Sequence, residues 1–177
     1  MTFEEMVMRT RELLDKTEDS DELDGQIKHA LNVAYMTVAR DKWRPTTSEL
    51  MKPDLKTGCV PIKNLSECFV SLKTVRRYGG MRLRAWAGKD FIHISPPFIQ
   101  VAVEYYYLPH PLENPDDTPI IPSAQVDPYA YIYFAAAQCL NIKHMHSEAA
   151  VWEKKYKDIA DNIHEVRGNI IIPDERW

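Results

Sequence analysis

Cysteine and glycine are both scarce in this chain of 177 residues, which has 3 of the first and 6 of the second. The cysteines, Cys59, Cys68 and Cys139, are an odd set without a CxxC pair, which fits a reducing compartment better than a disulfide framework or a zinc site. All three read as free thiols. With so little glycine there is no phosphate-cradling glycine loop and no nucleophile elbow. An excess of positive charge is missing too. The balance of 22 Lys+Arg against 26 Asp+Glu gives a net charge of -4 and a pI near 5.9, unlike domains that grip nucleic acid by counterion release. No apolar run is long enough to span a bilayer. The longest lies in Tyr129 to Leu140 and is broken by Gln138, and the acidic start does not resemble a signal peptide. Folding in the cytoplasm is the expectation. There is no internal repeat and no low-complexity tract.

What is present is ordinary globular material, 45% hydrophobic and 27% charged, in a length that buries about 70% of the unfolded surface. Thr2 and Glu5 form a capping-box pattern ahead of Phe3, Met6, Val7, Leu13 and Leu14, so a short amphipathic helix begins almost at the first residue. An acidic linker, Asp15 to Asp24, follows. Ser20 or Asp21 caps a second helix with Ile27, Leu31, Ala34, Tyr35 and Val38 at helical spacing, and Arg44-Pro45 ends it.

Six strands are expected between Thr46 and Leu108, at 46–51, 59–62, 69–76, 81–87, 91–95 and 99–107. Tyr78-Gly79-Gly80 and Gly88-Lys89-Asp90 supply tight turns, and Pro96-Pro97 forces a break before the last strand. No helix long enough for a parallel crossover intervenes, so the sheet should be an antiparallel meander or a small barrel. Pro109, Pro111, Pro115, Pro119 and Pro122 then stiffen an extended segment. Asp127 and Pro128 open a helix that is apolar almost all round, central in a helical layer or buried in a subunit interface. The last helix is one-sided, with Ala149, Trp152, Tyr156, Ile159, Ala160 and Ile163 in one stripe, a cap at Ser147 or its neighbour, and a stop at Gly168. The fold class is therefore α+β, a bundle of about four helices with an inserted β region in a single domain. Residues 1–45 and 127–167 make the helical layer, 46–108 the β region, 109–126 a proline-rich arm and 168–177 a C-terminal interaction tail.

Candidate sites are few. Lys73, Arg76, Arg77, Arg82, Arg84 and Lys89 form a basic strand pair with no acid among them. It reads first as a solvated sheet face and second as a contact for DNA or an acidic protein. His144, His146 and Glu148 are too few to close a metal site and read as a polar turn. The pairs Asp116-Asp117 and Asp174-Glu175 lack the ligand spacing of a calcium loop. Asp90 and His93 are close in sequence, with no nucleophile that the sequence itself ties to them. Tyr105 and Tyr107 share a sheet face and Tyr106 takes the other, fit equally for packing or for an interface. Ile170, Ile171 and Ile172, followed by Pro173, either complete the chain's own sheet or add a strand to a neighbour.

The order of two N-terminal helices, a β insertion, a strand ending in Tyr105-Tyr106-Tyr107-Leu108-Pro109, a loop with Ile120-Ile121-Pro122, an apolar helix and an amphipathic helix resembles the head-to-tail connector (adaptor or neck) proteins of tailed bacteriophages. Local echoes are Val60-Pro61-Ile62 leading to Leu65, the strand from Val101 to Pro109, Asp117 ahead of Ile120-Ile121-Pro122, and the stripe Ala149, Val151, Trp152, Glu153 and Tyr156. The likeness covers most of the chain. It implies a structural virion protein without enzymatic activity or cofactor, forming a homo-oligomeric ring, commonly twelvefold, beneath the portal. The implied partners are further copies of the chain, the portal protein and a tail or downstream neck protein, with DNA passing through the channel unbound and no membrane. The implied location is the virion neck, after assembly in the host cytoplasm.

In such proteins an extended C-terminal segment grips the portal or a neighbour, which maps here onto Asn169 to Trp177. The interface residues that follow are Ile170, Ile171, Ile172, Pro173 and Trp177, joined by Tyr106, Pro119 and Pro122 from the strand and the arm. The β-rich third departs from the almost purely helical connectors and suits an adaptor close to the tail tube of a short-tailed phage, or another tail-completion protein. Two alternatives stand outside the resemblance. One is a DNA-associated phage or host protein using the basic Lys73 to Lys89 strand pair. The other is a small hydrolase using Asp90, His93 or the His144 cluster.

Overall fold

The entry and exit of the β region lie side by side: the Tyr107 amide donates to the Pro45 carbonyl at 3.1 Å, and Thr46 faces Tyr106 in the sheet. The structure, a computed structural model, describes residues 1–14, 21–77, 80–121 and 125–163. Over these residues it has an α+β architecture of four α-helices and a six-stranded antiparallel sheet. Ile170, Ile171, Ile172, Pro173, Trp177, Pro122, Ser20 and Gly168 lie outside the described residues, as do Asp174-Glu175 and most of the Tyr78-Gly79-Gly80 turn.

Helix α1 (Phe3–Leu13) begins at the predicted capping box: the Thr2 hydroxyl accepts from the Glu5 amide at 3.2 Å, and the Thr2 amide donates to the Glu5 carboxylate at 2.9 Å. Helix α2 (Asp21–Val38) buries Leu23, Ile27, Ala30, Leu31, Ala34, Tyr35 and Val38, a stripe at three- and four-residue spacing. Helical structure ends at Arg44-Pro45 as expected, but the last turn is not α-helical. The helix widens into a π-helical turn, Ala39–Trp43, and Arg44 then takes a left-handed conformation (φ 53, ψ 71), which turns the chain into the sheet. Helix α3 (Tyr129–Ile142) starts as the Asp127-Pro128 pattern predicts, with the Asp127 carboxylate accepting from the Tyr129 amide at 2.9 Å.

Helix α4 (His146–Ala160) departs from expectation at both ends. No serine caps it: His144, at φ 60, and Met145 return their amides to the Asn141 and Leu140 carbonyls, so the chain re-enters a helix at His146 without a side-chain cap. The helix ends at Ala160, with the Asp161 amide still donating to the Lys157 carbonyl at 2.9 Å and a turn following, short of the expected end near residue 167.

Helix α3 packs against α1, α2 and α4, and this contact explains its nearly all-round apolar surface. Its buried Ala130, Ala135, Ala136 and Ala137 let neighbouring backbones approach, while Tyr131 meets Tyr35 edge-on at 5.9 Å and Tyr133 stacks on Trp152 at 5.5 Å. Burying each aliphatic side chain of this core is worth about 1.5–3 kcal/mol.

The strands are β1 (Thr46–Met51), β2 (Cys59–Pro61), β3 (Cys68–Arg77), β4 (Arg82–Ala87), β5 (Phe91–Ser95) and β6 (Val101–Leu108). Their spatial order is β1-β6-β3-β4-β5-β2, in a sheet curled into a half-barrel. A simple meander is therefore realised only from β3 to β5. Strand β6 returns between β1 and β3, and among the described residues β1 and β2 remain as edges and the sheet does not close. Its inner face is a second core of Val60, Leu65, Val75, Leu83, Ile92, Ile94, Val101, Val103 and Tyr105.

The proline-rich segment after β6 is a strap lying on the helices, not a projecting arm. Asn32 clamps Leu112, with its side-chain oxygen accepting from the Leu112 amide at 2.7 Å and its side-chain nitrogen donating to the Leu112 carbonyl at 3.0 Å. The Phe3 and Glu4 amides donate to the Asp117 and Pro115 carbonyls, and the Ile120 amide donates to the Tyr35 hydroxyl at 3.2 Å. Leu112, Ile121 and Val126 are buried in the helical core. Proline stiffness here presents carbonyls and apolar side chains to α1 and α2. Among the described residues no helix is long and apolar enough to cross a membrane.

Candidate functional site

The outer face of the sheet gathers several of the residues whose chemistry the sequence singled out. Residues directly opposite in an antiparallel pair share a face. Val75 faces Leu83 and Val103 on the inner face, so Arg76, which faces Arg82 and Ala102, is on the outer one. Leu50 faces Ala102, which extends this row across four strands as Leu50, Ala102, Arg76 and Arg82. Two residues along β4, Arg84 faces Ser95, and beyond it Trp86 faces His93, which in turn faces Cys59.

The basic strand pair predicted from sequence is therefore divided. Arg76, Arg82 and Arg84 form one outer-face cluster, and among the described residues no carboxylate makes an ion pair with any of them. Like charges placed directly opposite destabilise a strand pair, so Arg76 and Arg82 carry a local cost in the isolated fold. Arg77 has the other parity and lies over the Phe98 ring at 5.5 Å. Lys73 is neutralised by Glu104 at 2.7 Å, and Lys89 sits in the exposed turn between β4 and β5.

Trp86, 52% exposed, stacks on His93 with ring centroids 5.3 Å apart and planes 13° from parallel. Tyr106 lies on the same outer face under the Arg44 guanidinium, 4.3 Å from its centroid, so its ring is engaged from within the chain. Pro119, in the strap, is half-buried.

A second feature is a groove of about 550 Å³ between α2 and α3, lined by Glu22, Gln26, His29, Val33, Gln138 and Ile142, with Gly25 leaving its wall open. Val33 and Ile142 are exposed there, and Ile99 in the β5–β6 connection is 76% exposed.

The remaining candidates are dispersed. His146 Nδ1 lies 3.0 Å from the Asn141 side-chain oxygen, and the His144 ring meets it edge-on at 6.0 Å. Among the described residues no three His, Cys, Asp or Glu side chains converge as metal ligands. The Asp117 carboxylate accepts from the Asn114 and Glu113 amides, which hold it below the usual carboxylate range, so its role is to shape the strap. His93 pairs with Cys59 and not with Asp90, at an Sγ to Nδ1 distance of 3.2 Å. Sequence reading missed that pair because 34 residues separate its members. Only the β2–β5 register brings them together.

No protein-family model matches this chain, and no curated protein matches it.

Proposed function

We propose that this chain is the subunit of a head-to-tail connector of a tailed bacteriophage. It assembles as a ring beneath the portal, extends the DNA channel and docks the tail. The observation that carries the reading is the inserted β region, whose ends pair at Pro45 and Tyr107 between a helix pair before it and a helix pair after it. That is the element order on which the resemblance to connector proteins rests. The four helices act as the bundle of the ring subunit. The strap fixes this layer to the sheet, so that load on one is passed to the other. Exposed apolar side chains on both layers support an assembly role. In this reading the exposed arginines meet an acidic neighbouring subunit, and Arg76 facing Arg82 is a cost that assembly relieves.

The test is to produce the chain together with the portal protein of the same genome and image the product by electron microscopy. A ring seated coaxially on the portal supports the proposal, and portal particles without added density reject it.

A second reading is favoured by one observation, the Arg76, Arg82 and Arg84 cluster beside the exposed Trp86 ring. Guanidinium groups next to an open aromatic face suit a nucleic-acid backbone and bases. This DNA-associated reading predicts binding by a monomer that weakens steeply with salt.

A further inference from the structure

We propose that Cys59 is a reactive thiol, paired with His93 as its proton acceptor, and a site at which small disulfides are taken up as a mixed disulfide. The inference goes beyond the ring reading and does not depend on it. Strand register makes the pair: Cys59 on β2 stands directly opposite His93 on β5, and Sγ lies 3.2 Å from Nδ1. The thiol has a second contact, the Thr57 carbonyl at 3.5 Å, which leaves Sγ held between two polar atoms.

His93 is itself held by a third group. Trp86, its partner on β4, lies nearly parallel to the imidazole at 5.3 Å, which fixes the ring plane with the Nδ1 edge toward Cys59. Nucleophile, base and orienting group thus follow the pattern of activated cysteines. On the other side of Cys59 the backbone is pinned: Gly58 has φ +67, and the Ile94 amide donates to its carbonyl at 2.9 Å.

The reaction balances without a bound cofactor. The Cys59 proton passes to His93 Nδ1, and the Sγ lone pair attacks one sulfur of a low-molecular-weight disulfide. The reagent's sulfur–sulfur bond breaks as the new one forms. The departing thiolate takes the proton back from His93, so one thiol and one disulfide give one mixed disulfide and one thiol.

The chain carries its own controls. Cys68 is exposed, and no hydrogen-bond partner for its thiol is among the described residues, while Cys139 is buried in α3, where burial pushes its thiol up. By exposure alone Cys68 should react first, since Cys59 is half-buried.

The experiment is a time course of the reduced full-length protein with glutathione disulfide at neutral pH, read by mass mapping of the three cysteine peptides. Cys59 should be modified first, about tenfold or more ahead of Cys68, with Cys139 last. His93→Gln should bring Cys59 down to the Cys68 rate or below it. Trp86→Ala should slow Cys59 and leave Cys68 unchanged. Reaction of Cys68 ahead of Cys59 in the unaltered protein overturns the proposal, and so does a folded His93→Gln protein with an unchanged Cys59 rate. Should His93→Gln not fold, the ranking in the unaltered protein decides.

Discussion

The hydroxyl of Tyr105, a side chain fully buried on β6, donates to the carboxylate of Glu49 on β1, and Ser66 adds two further bonds to that carboxylate, from its hydroxyl at 2.7 Å and its amide at 3.1 Å. Burial, reinforced by the Glu49 contact, pushes the Tyr105 phenol up to about 12. Burial pushes Glu49 upward as well, but the bonds from Tyr105 and Ser66 prevail and hold it below its ordinary value. The network ties an edge strand to its neighbour and to the loop before β3. Tyr105→Phe should therefore destabilise the protein by about 1–3 kcal/mol in urea unfolding at neutral pH. An unchanged midpoint would show that Glu49 and Ser66 hold the edge unaided.

The same network sets an acid dependence. A carboxylate whose folded pKa is depressed contributes stability that is present above its unfolded value, 4.5 for Glu49, and is lost as pH falls through the folded value. Unfolding free energy should thus decline below about pH 4.5, and the decline should be shallower in Glu49→Gln. Equal acid limbs in the two proteins would contradict the assignment. At the other end, Tyr105, Tyr35, Tyr107, Tyr131 and Tyr156 are all raised by burial, so stability should fall as pH climbs past the ordinary value of 10. These phenols should ionise, by ultraviolet absorbance, together with unfolding.

The strap gives a local test. Asn32→Ala leaves the Leu112 amide and carbonyl without their side-chain partner and should cost about 1–3 kcal/mol. Hydrogen exchange should speed up across 109–121 more than in β3 or β6. Uniform acceleration over the whole chain would show that the strap has no independent role.

Arg76 and Arg82 separate fold from function. Arg82→Thr removes a like-charge pair while keeping a strand-forming residue, and should leave stability unchanged or raise it by about 0.2–1 kcal/mol at low salt. The same change should weaken ring or portal binding if the cluster meets an acidic neighbour. Marked destabilisation would mean that the arginines support the sheet.

Gly58 admits no side chain. Its φ is +67, and a Cβ would sit 2.5 Å from the Ile94 carbonyl oxygen, a backbone atom that cannot swing aside. Gly58→Ala should cost about 1–3 kcal/mol or more and loosen the β2–β5 pairing first. A neutral Gly58→Ala would refute this local geometry.

Much of the fold was legible because the signals were local. Alternation in Val101, Val103 and Tyr105 marked β6, the Thr2 and Glu5 capping box marked the start of α1, and Asp127-Pro128 marked that of α3. What sequence pattern did not carry was sequence-distant pairing. Nothing near Asn32 announces Leu112, 80 residues on, so the strap read as a free arm. Placement of β6 between β1 and β3 depends on which edges are left open, and no single strand encodes that. Arg76 and Arg77 look equivalent in sequence, yet strand parity sends one to the outer face and the other over Phe98. Helical structure does end at Arg44-Pro45, but the pattern did not announce the π-helical turn before it, which closes with the Arg44 amide donating to the Ala39 carbonyl at 2.7 Å.

The central claim is tested most directly by the mass of the purified chain, alone and mixed with the portal protein of the same genome, by light scattering coupled to size exclusion. The account predicts that the chain joins the portal complex in ring stoichiometry, whether or not it is a ring beforehand. A chain that stays apart from the portal as a monomer and binds DNA in a salt-sensitive manner would contradict the connector reading and favour the DNA-associated one.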